Sequence, residues 1–348
     1  MRKPYLFFIA LLFLGAACSS NATKQYAPKG QKPIVGAYVF RGPIPDPTYV
    51  THIFYAFGHV NDSFDGIRLN SDERLMDISN LKKQKPDLKV ILSIGGWGSG
   101  RFSEMAADPN YRKAFVADCK RVVEQFNLDG IDMDWEYPSQ TAGGRISASP
   151  DDIDNFTILM REIREILGRD KLLSFASVMT ARYVDFAAVE PYVDFVNIMT
   201  YDMGNPPNYH HNALFPSKYT RFSCQESVDA HIAAGIPVHK LVLGVPFYGK
   251  GASGEQGVTY PRFWEVRNQR EFTEQWDDDA KVPYLTKRNP ETREDVFVYT
   301  YENPRSIVLK MEYLKQRGML GAMYWEYSQD DYLGTMQKTV YEGVMGKK

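Results

Sequence analysis

Three carboxylates stand at every second position of the octet 129–136, namely Asp132, Asp134 and Glu136. The positions between them carry the large apolar side chains of Ile131, Met133 and Trp135. A period of two is the period of a β-strand, so the acids share one face and the apolar residues share the other. Crowding ionised groups along a strand costs charge repulsion and desolvation. The pattern therefore indicates chemistry rather than a structural role.

Three interpretations of this acidic row can be compared. A calcium loop of the EF-hand kind needs a central glycine and polar neighbours, whereas apolar residues separate these acids and no glycine follows Asp134. A solvent-exposed acidic edge fits poorly with the apolar flanking residues. General acid and base catalysis at a glycosidic bond fits best. A second carboxylate nearby raises the proton affinity of the acid and stabilises the positive charge that develops.

The composition is that of an ordinary globular protein. Of 348 residues, 44% are hydrophobic and 24% are charged, and the formal net charge is −2. This near-neutral balance argues against nucleic acid or an anionic lipid surface as a partner. The 22 tyrosines and 20 phenylalanines include rings on which the apolar faces of sugars can pack, although most are expected in the core.

The N-terminal region has the organisation of an export signal followed by a tether. Two basic residues precede an apolar run at 5–14, which is too short to span a bilayer comfortably, and small residues then lead to Cys18. Residues 1–17 resemble a bacterial lipoprotein signal, which implies a lipid on Cys18 that anchors the protein to a membrane of the cell envelope. The alternative is ordinary cleavage and release. Residues 18–33 are polar and predicted to be a flexible tether.

The rest of the chain alternates between short apolar runs and amphipathic stretches. The predicted strands are 34–40, 52–57, 89–94, 130–135, 172–177, 195–199, 241–245 and 320–325. The clearest predicted helices are 111–126, 151–167 and 304–316. Eight strands alternating with helices predict an α/β protein with one (β/α)8 barrel over residues 34–348. Active sites of such barrels lie at the C-terminal strand ends, where Glu136 ends the fourth predicted strand.

The acidic octet is part of a longer pattern. Asp129-x-x-Asp132-x-Asp134-x-Glu136, followed by Tyr-Pro, resembles the catalytic signature of glycoside hydrolase family 18, the chitinase family. Four other segments at predicted strand ends resemble motifs of the same family, and they lie at 93–97, 197–202, 244–249 and 321–326. The resemblance covers nearly the whole mature chain.

This resemblance implies a substrate-assisted mechanism that retains the anomeric configuration and needs no metal or cofactor. Glu136 would protonate the glycosidic oxygen and later act as base on the incoming water. The 2-acetamido carbonyl oxygen of the substrate would attack the anomeric carbon. Asp134 would hold the acetamido N–H and share a proton with Asp132. Tyr201 would donate its hydroxyl to the acetamido oxygen.

The resemblance and the strand ends also predict a set of surrounding residues. Those expected to contact the sugar are Trp97, Met199, Asp202, Trp325, Tyr38 and Phe57. Those expected to support the site are Ser93, Gly95, Gly96 and Asp129. Ser93 is expected to hydrogen-bond toward Asp132. Asp129 should point to the opposite face of the strand from Asp132, so it is expected to support the strand rather than to contact the substrate.

Three kinds of family member remain open as models for function. Chitinases cut β-1,4 bonds between N-acetylglucosamine units, endo-β-N-acetylglucosaminidases cut the core of N-glycans, and lectin-like members bind without cleaving. Lectin-like members typically lose the acid, whereas Glu136 is present. Segments 211–214 and 276–285 resemble the chitinase branch. Chitin or chito-oligosaccharides are therefore the expected partners, and the protein is expected to act as a monomer.

The segment after the seventh predicted strand bears on the depth of the cleft. Deep-cleft members carry a small α+β module there, but only residues 249–275 separate Tyr248 from Trp276. This length is too short for an independently packed module. The sequence therefore predicts a single domain without a full α+β insertion, and a shallower cleft that cuts chains internally.

Overall fold

The computed structural model describes residues 32–141, 146–252, 256–259, 265 and 267–346. The predicted signal, Cys18 and most of the predicted tether lie outside these residues. In the described part of the chain, no helix combines the length and the apolar composition needed to cross a membrane.

Eight parallel strands close into a barrel. They are β1 (Ile34–Val39), β2 (His52–Val60), β4 (Lys89–Gly95), β5 (Gly130–Asp134), β6 (Leu172–Val178), β7 (Phe195–Met199), β8 (Leu241–Pro246) and β14 (Gly321–Trp325). Each pairs with the next around the ring, and β1 closes it by pairing with both β14 and β2. A short strand, β3 (Ile67–Leu69), pairs antiparallel with β2. The predicted (β/α)8 barrel is confirmed, and the predicted strand starts agree closely with the observed ones.

Helices cover the outer face of the barrel. They are α1 (Asp72–Asn80), α2 (Phe102–Ala107), α3 (Pro109–Gln125), α4 (Asp152–Leu167), α5 (Phe186–Val189), α6 (Cys224–Ala233), α7 (Pro304–Arg317) and α8 (Thr335–Met345). Helix α7 begins after Asn303, whose side chain accepts a hydrogen bond from the Ser306 N–H, and ends at Gly318 with φ of 73°. These local signals fix both ends of the helix.

Alternate residues of the strands enter two separate cores. The outer core lies between strands and helices and includes Ile131, Met133 and Trp135 of the octet. The inner core fills the barrel, where rings such as those of Tyr38 and Phe54 pack 4.7 Å apart. The period of two in the octet therefore leaves its acids facing the barrel interior.

A second sheet follows the seventh barrel strand. It has five antiparallel strands, β9 (Tyr248–Gly251), β10 (Gln256–Thr259), β11 (Phe272–Asp277), β12 (Val282–Arg288) and β13 (Asp295–Thr300). Its own small core holds Leu285, Tyr299 and Tyr301. This sheet was not predicted from the sequence, and it takes strands from both sides of Trp276.

Candidate active site

Asp132 lies inside the barrel at the centre of a hydrogen-bonded group. Its Oδ2 accepts hydrogen bonds from the Tyr38 and Ser93 hydroxyls, both at 2.8 Å. Its Oδ1 accepts from the Ser174 hydroxyl at 2.6 Å and from the Asn197 amide at 3.2 Å. Complete burial raises the pKa of Asp132, and these four donors oppose that effect. The carboxyl is therefore fixed in place but remains able to take up a proton.

Asp134 follows on the same face of β5 and is only 4% exposed. Its Oδ1 is buried and has no hydrogen-bond partner within the described part of the chain. Burial, and then the charges of Glu136 and Asp132, raise the pKa of Asp134 well above its usual value. A buried oxygen without a donor is costly, so this atom is suited to accept an N–H or O–H from a ligand.

Glu136 continues the row at the end of β5. Burial raises its pKa to about 7; the negative charge of Asp202 adds to this, and a hydrogen bond with Tyr137 opposes it. A carboxyl with this pKa carries its proton in about half of the molecules at pH 7 and in most of them at mildly acidic pH, as a general acid must.

Tyr201 and Asp202 come from the loop that follows β7. Tyr201 is buried, and burial together with the nearby carboxylates raises the pKa of its hydroxyl well above the usual value. The hydroxyl therefore keeps its proton and can donate. Asp202 is held from the other side, because its Oδ1 accepts a hydrogen bond from the Tyr248 hydroxyl at 2.6 Å.

These groups open into one cleft with a volume of about 680 Å³. The predicted residues that line it are Glu136, Asp134, Tyr201, Trp97, Met199, Asp202, Trp325, Tyr38 and Phe57. The residues that line it without having been predicted are Phe40, Tyr137, Ala176, Val178, Met179 and Tyr248. The cleft combines a protonated acid, an acceptor without a donor and several aromatic rings, which suits the binding and cleavage of a sugar chain.

Comparison with known proteins identifies the family. The model of "Glycosyl hydrolases family 18" matches residues 23–330. The chain belongs to glycosyl hydrolase family 18.

Similar proteins support this assignment over most of the chain. Chitinase A1 of Niallia circulans is 34% identical over 300 residues, which are 73% of this chain and 42% of that protein. Probable chitinase 2 of Drosophila melanogaster is 31% identical over 364 residues, covering 89% of this chain and 72% of that protein. Among solved structures, a family 18 N-acetylglucosaminidase from Paenibacillus barengoltzii has a TM-score of 0.78 at 33% identity, covering 90% of this chain and 100% of that one. This chain therefore spans less than half the length of Chitinase A1.

Two groups of aromatic rings in this family 18 cleft differ in how firmly they are packed. Trp325 lies against Phe57, Tyr38 and Phe40, with ring centroids 5.7–5.9 Å apart. Trp97 is 66% exposed, and its ring centroid lies 6.4 Å from that of Tyr137. Trp325 can therefore form a fixed floor, whereas Trp97 presents an open ring at the rim.

Gly95 and Gly96 allow two close approaches beside the acids. Both have positive φ, 126° and 88°. A Cβ on Gly95 would lie 2.0 Å from the Asp134 carbonyl oxygen, and one on Gly96 would lie 2.6 Å from the Phe57 ring. Any side chain here would therefore displace β5 or an aromatic residue of the cleft.

Asp129 lies at the N-terminal end of β5, away from the cleft. It pairs with Lys82 at 3.0 Å and with Lys89 at 3.1 Å, and it accepts a hydrogen bond from the Val90 N–H at 2.9 Å. These contacts tie the start of β5 to the neighbouring strand. Asp129 thus differs from the other three acids in both place and partners.

Sequence reasoning missed several residues that contact the acids directly, among them Ser174, Asn197 and Tyr248. Ser174 stands opposite Asp132 in the parallel register of β5 and β6, so a strand alignment could have indicated it. Asn197 and Tyr248 lie within segments that resemble family motifs, but neither was assigned a contact. Their partners became apparent only when strands distant in sequence were brought together around the barrel.

Proposed function

We propose that the protein hydrolyses β-1,4 bonds between N-acetylglucosamine units of chitin or chito-oligosaccharides, with retention assisted by the substrate. The observation that carries this proposal is the Oδ1 of Asp134, buried without a donor beside Glu136. An acetamido N–H would supply the missing hydrogen bond. A sugar without a 2-acetamido group would leave this oxygen unsatisfied and would lack the internal nucleophile.

The reaction would proceed in two steps. In the first, Glu136 gives its proton to the glycosidic oxygen, the bond from that oxygen to the anomeric carbon breaks, and the acetamido carbonyl oxygen bonds to the same carbon. Asp134 accepts the acetamido N–H and stabilises the oxazolinium ion, while Tyr201 donates to the oxygen that attacks. In the second step, water attacks the anomeric carbon, the bond from that carbon to the acetamido oxygen breaks so that the acetamido group is restored, and Glu136 takes up a proton from the water.

Cleavage within chains is the mode that we propose, with release of single N-acetylglucosamine units as the second candidate. Internal cleavage is supported by two groups of rings in the cleft, one around Trp325 and one at Trp97 and Tyr137, which can hold several sugars. The similarity to the Paenibacillus barengoltzii N-acetylglucosaminidase favours the second mode. Cleavage of the N-glycan core is a further alternative, and binding without cleavage is disfavoured by the presence of Glu136.

Product analysis distinguishes these modes. The N-acetylglucosamine hexamer should yield a mixture of dimers, trimers and tetramers early in the reaction, with retained anomeric configuration by NMR. The matched glucose hexamer should remain uncut because it lacks the acetamido group. Early release of monomer alone would favour the second candidate, and release of glycans from a high-mannose glycoprotein would favour the N-glycan alternative. Equal cleavage of both hexamers would overturn the substrate-assisted mechanism.

We also propose that a lipid on Cys18 anchors the protein to a membrane of the cell envelope. The support is the sequence of residues 1–18 alone, with a short apolar run and small residues before the cysteine. Labelling with a clickable fatty acid should tag the wild type and should not tag Cys18→Ser. Equal labelling of both proteins, or of neither, would contradict the proposal.

A further inference from the structure

The Asp202 carboxylate is held by the first strand of the second sheet. Its Oδ1 lies 2.6 Å from the Tyr248 hydroxyl and 2.7 Å from the Lys250 ammonium, and both partners come from β9. The Lys250 side chain is only 8% exposed. A buried ammonium is unfavourable without a nearby anion, so the position of Lys250 depends on Asp202 as much as the reverse.

A neighbouring histidine cannot replace this positive charge. His211 is fully buried, and its Nδ1 lies 4.0 Å from the Asp202 Oδ1. Burial, and then the charges of Lys250 and Lys310, hold the pKa of His211 well below its usual value. The imidazole is therefore neutral, and neither of its nitrogens has a hydrogen-bond partner among the residues that the structure describes. Lys250 consequently supplies the positive charge at Asp202.

The second sheet keeps Lys250 in place because it is attached to the loop after β7. His210 pairs with Asp277 of β11 at 3.1 Å. The Thr300 hydroxyl of β13 donates to the Asn212 side chain at 3.1 Å, and Asn212 donates to the Tyr301 carbonyl at 2.9 Å. Barrel and sheet are thus joined on both sides of His211, which limits the movement of β9 relative to Asp202.

The charge of Asp202 affects the carboxyl group of Glu136. The groups that face this carboxylate are Tyr248 and Lys250 from β9, His211 from the loop after β7, and Glu136 from β5. Asp202 raises the pKa of Glu136, and it also raises that of the adjacent Tyr201 hydroxyl. A positive charge bound to Asp202 offsets part of this influence.

We propose that Lys250 is a positioning residue for glycosidic cleavage, whose ammonium holds the Asp202 carboxylate in the cleft and offsets part of the negative charge that this carboxylate directs at Glu136. The second sheet, on this view, carries one charge that the barrel alone does not provide. The inference rests on the proposed hydrolysis, because its effect is read through Glu136.

The test is the pH dependence of kcat on a soluble chromogenic N-acetylglucosamine dimer glycoside. In the wild type, kcat should fall above about pH 7, where Glu136 loses its proton. Lys250→Met keeps the length of the side chain but removes the charge, so Glu136 should ionise less readily. The fall in kcat should therefore move to higher pH, by ~0.5 pH unit or more. Lys250→Arg should restore the wild-type profile.

A matched control separates this effect from general loss of a lysine. Lys89→Met removes the ammonium that pairs with Asp129 at the opposite end of β5, and it should leave the profile unchanged. A uniform fall in kcat for Lys250→Met, without a shift in the pH at which kcat declines, would overturn the inference and leave the proposed hydrolysis intact. A wild type that fails to cleave the dimer glycoside, the hexamer and the glycoprotein would instead overturn the proposed function.

Discussion

Replacing Glu136 by glutamine is expected to lower kcat on chito-oligosaccharides by roughly 10²–10⁴-fold, the usual contribution of a general acid. Oligosaccharide affinity should stay within a few-fold of the wild type. Glutamine has the same shape as the protonated acid and carries no charge, and Glu136 with a pKa of about 7 is predominantly protonated at mildly acidic pH. The substitution therefore removes the proton that is transferred and leaves the cleft intact. Steady-state kinetics and isothermal titration calorimetry with the hexamer measure the two effects separately.

The matched control for this variant is Glu165→Gln. Glu165 lies on α4, its side chain is 67% exposed, and it pairs with Arg161 one turn away at 3.7 Å. An exposed pair of this kind contributes little, so both kcat and affinity should match the wild type. If Glu136→Gln retains more than about a tenth of the wild-type kcat, the proton comes from another group. Asp202, which also lines the cleft, would then be the first candidate.

Gly95→Ala is expected to be the most damaging single change to the barrel. The added Cβ would lie 2.0 Å from the Asp134 carbonyl oxygen, and the residue has φ of 126°, which side chains rarely adopt. Strand β4 or β5 must shift to accept it, and both carry contacts to the acids. The free energy of unfolding should fall by on the order of 4 kcal/mol or more. Urea unfolding followed by circular dichroism measures this loss.

Gly98→Ala provides the control for backbone conformation alone. Gly98 also has positive φ, 78°, but no described atom lies within 4 Å of the Cβ that alanine would add. Its cost should be limited to about 1–2 kcal/mol from the left-handed conformation. Similar stability for the two variants, together with full activity of Gly95→Ala, would show that the close approach to Asp134 is not required.

The barrel strands were predictable because the strongest signals in the sequence are local. Strands covered on both faces form short apolar runs, and the runs at 89–94 and 241–245 correspond to β4 and β8. Helix α7 was also predictable at both ends, since Asn303 and Gly318 act on the neighbouring backbone. The second sheet was not predicted, because antiparallel strands depend on partners that lie beyond the intervening turns.

The residues of the candidate site show the same difference between local signals and contacts made by residues far apart in the sequence. Alternation within residues 129–136 already placed Asp132, Asp134 and Glu136 on one face, which needs no knowledge of distant residues. The partners of these acids could not be read from spacing. Asn197 lies on β7, yet its amide lies 3.2 Å from Asp132 of β5, because the curvature of the barrel turns side chains of both strands, which β6 separates, toward the same interior.

The sequence by itself determined the barrel, the acidic row and the family, since each depends on residue types at short and regular spacing. Only the tertiary structure determined the pKa shifts of Asp132, Asp134 and Glu136 and the residues that cause them. A pKa depends on burial and on charges within a few ångströms, and these come from elements far apart in the chain. Lys250 illustrates the difference, because its sequence position gives no sign that its ammonium lies 2.7 Å from Asp202.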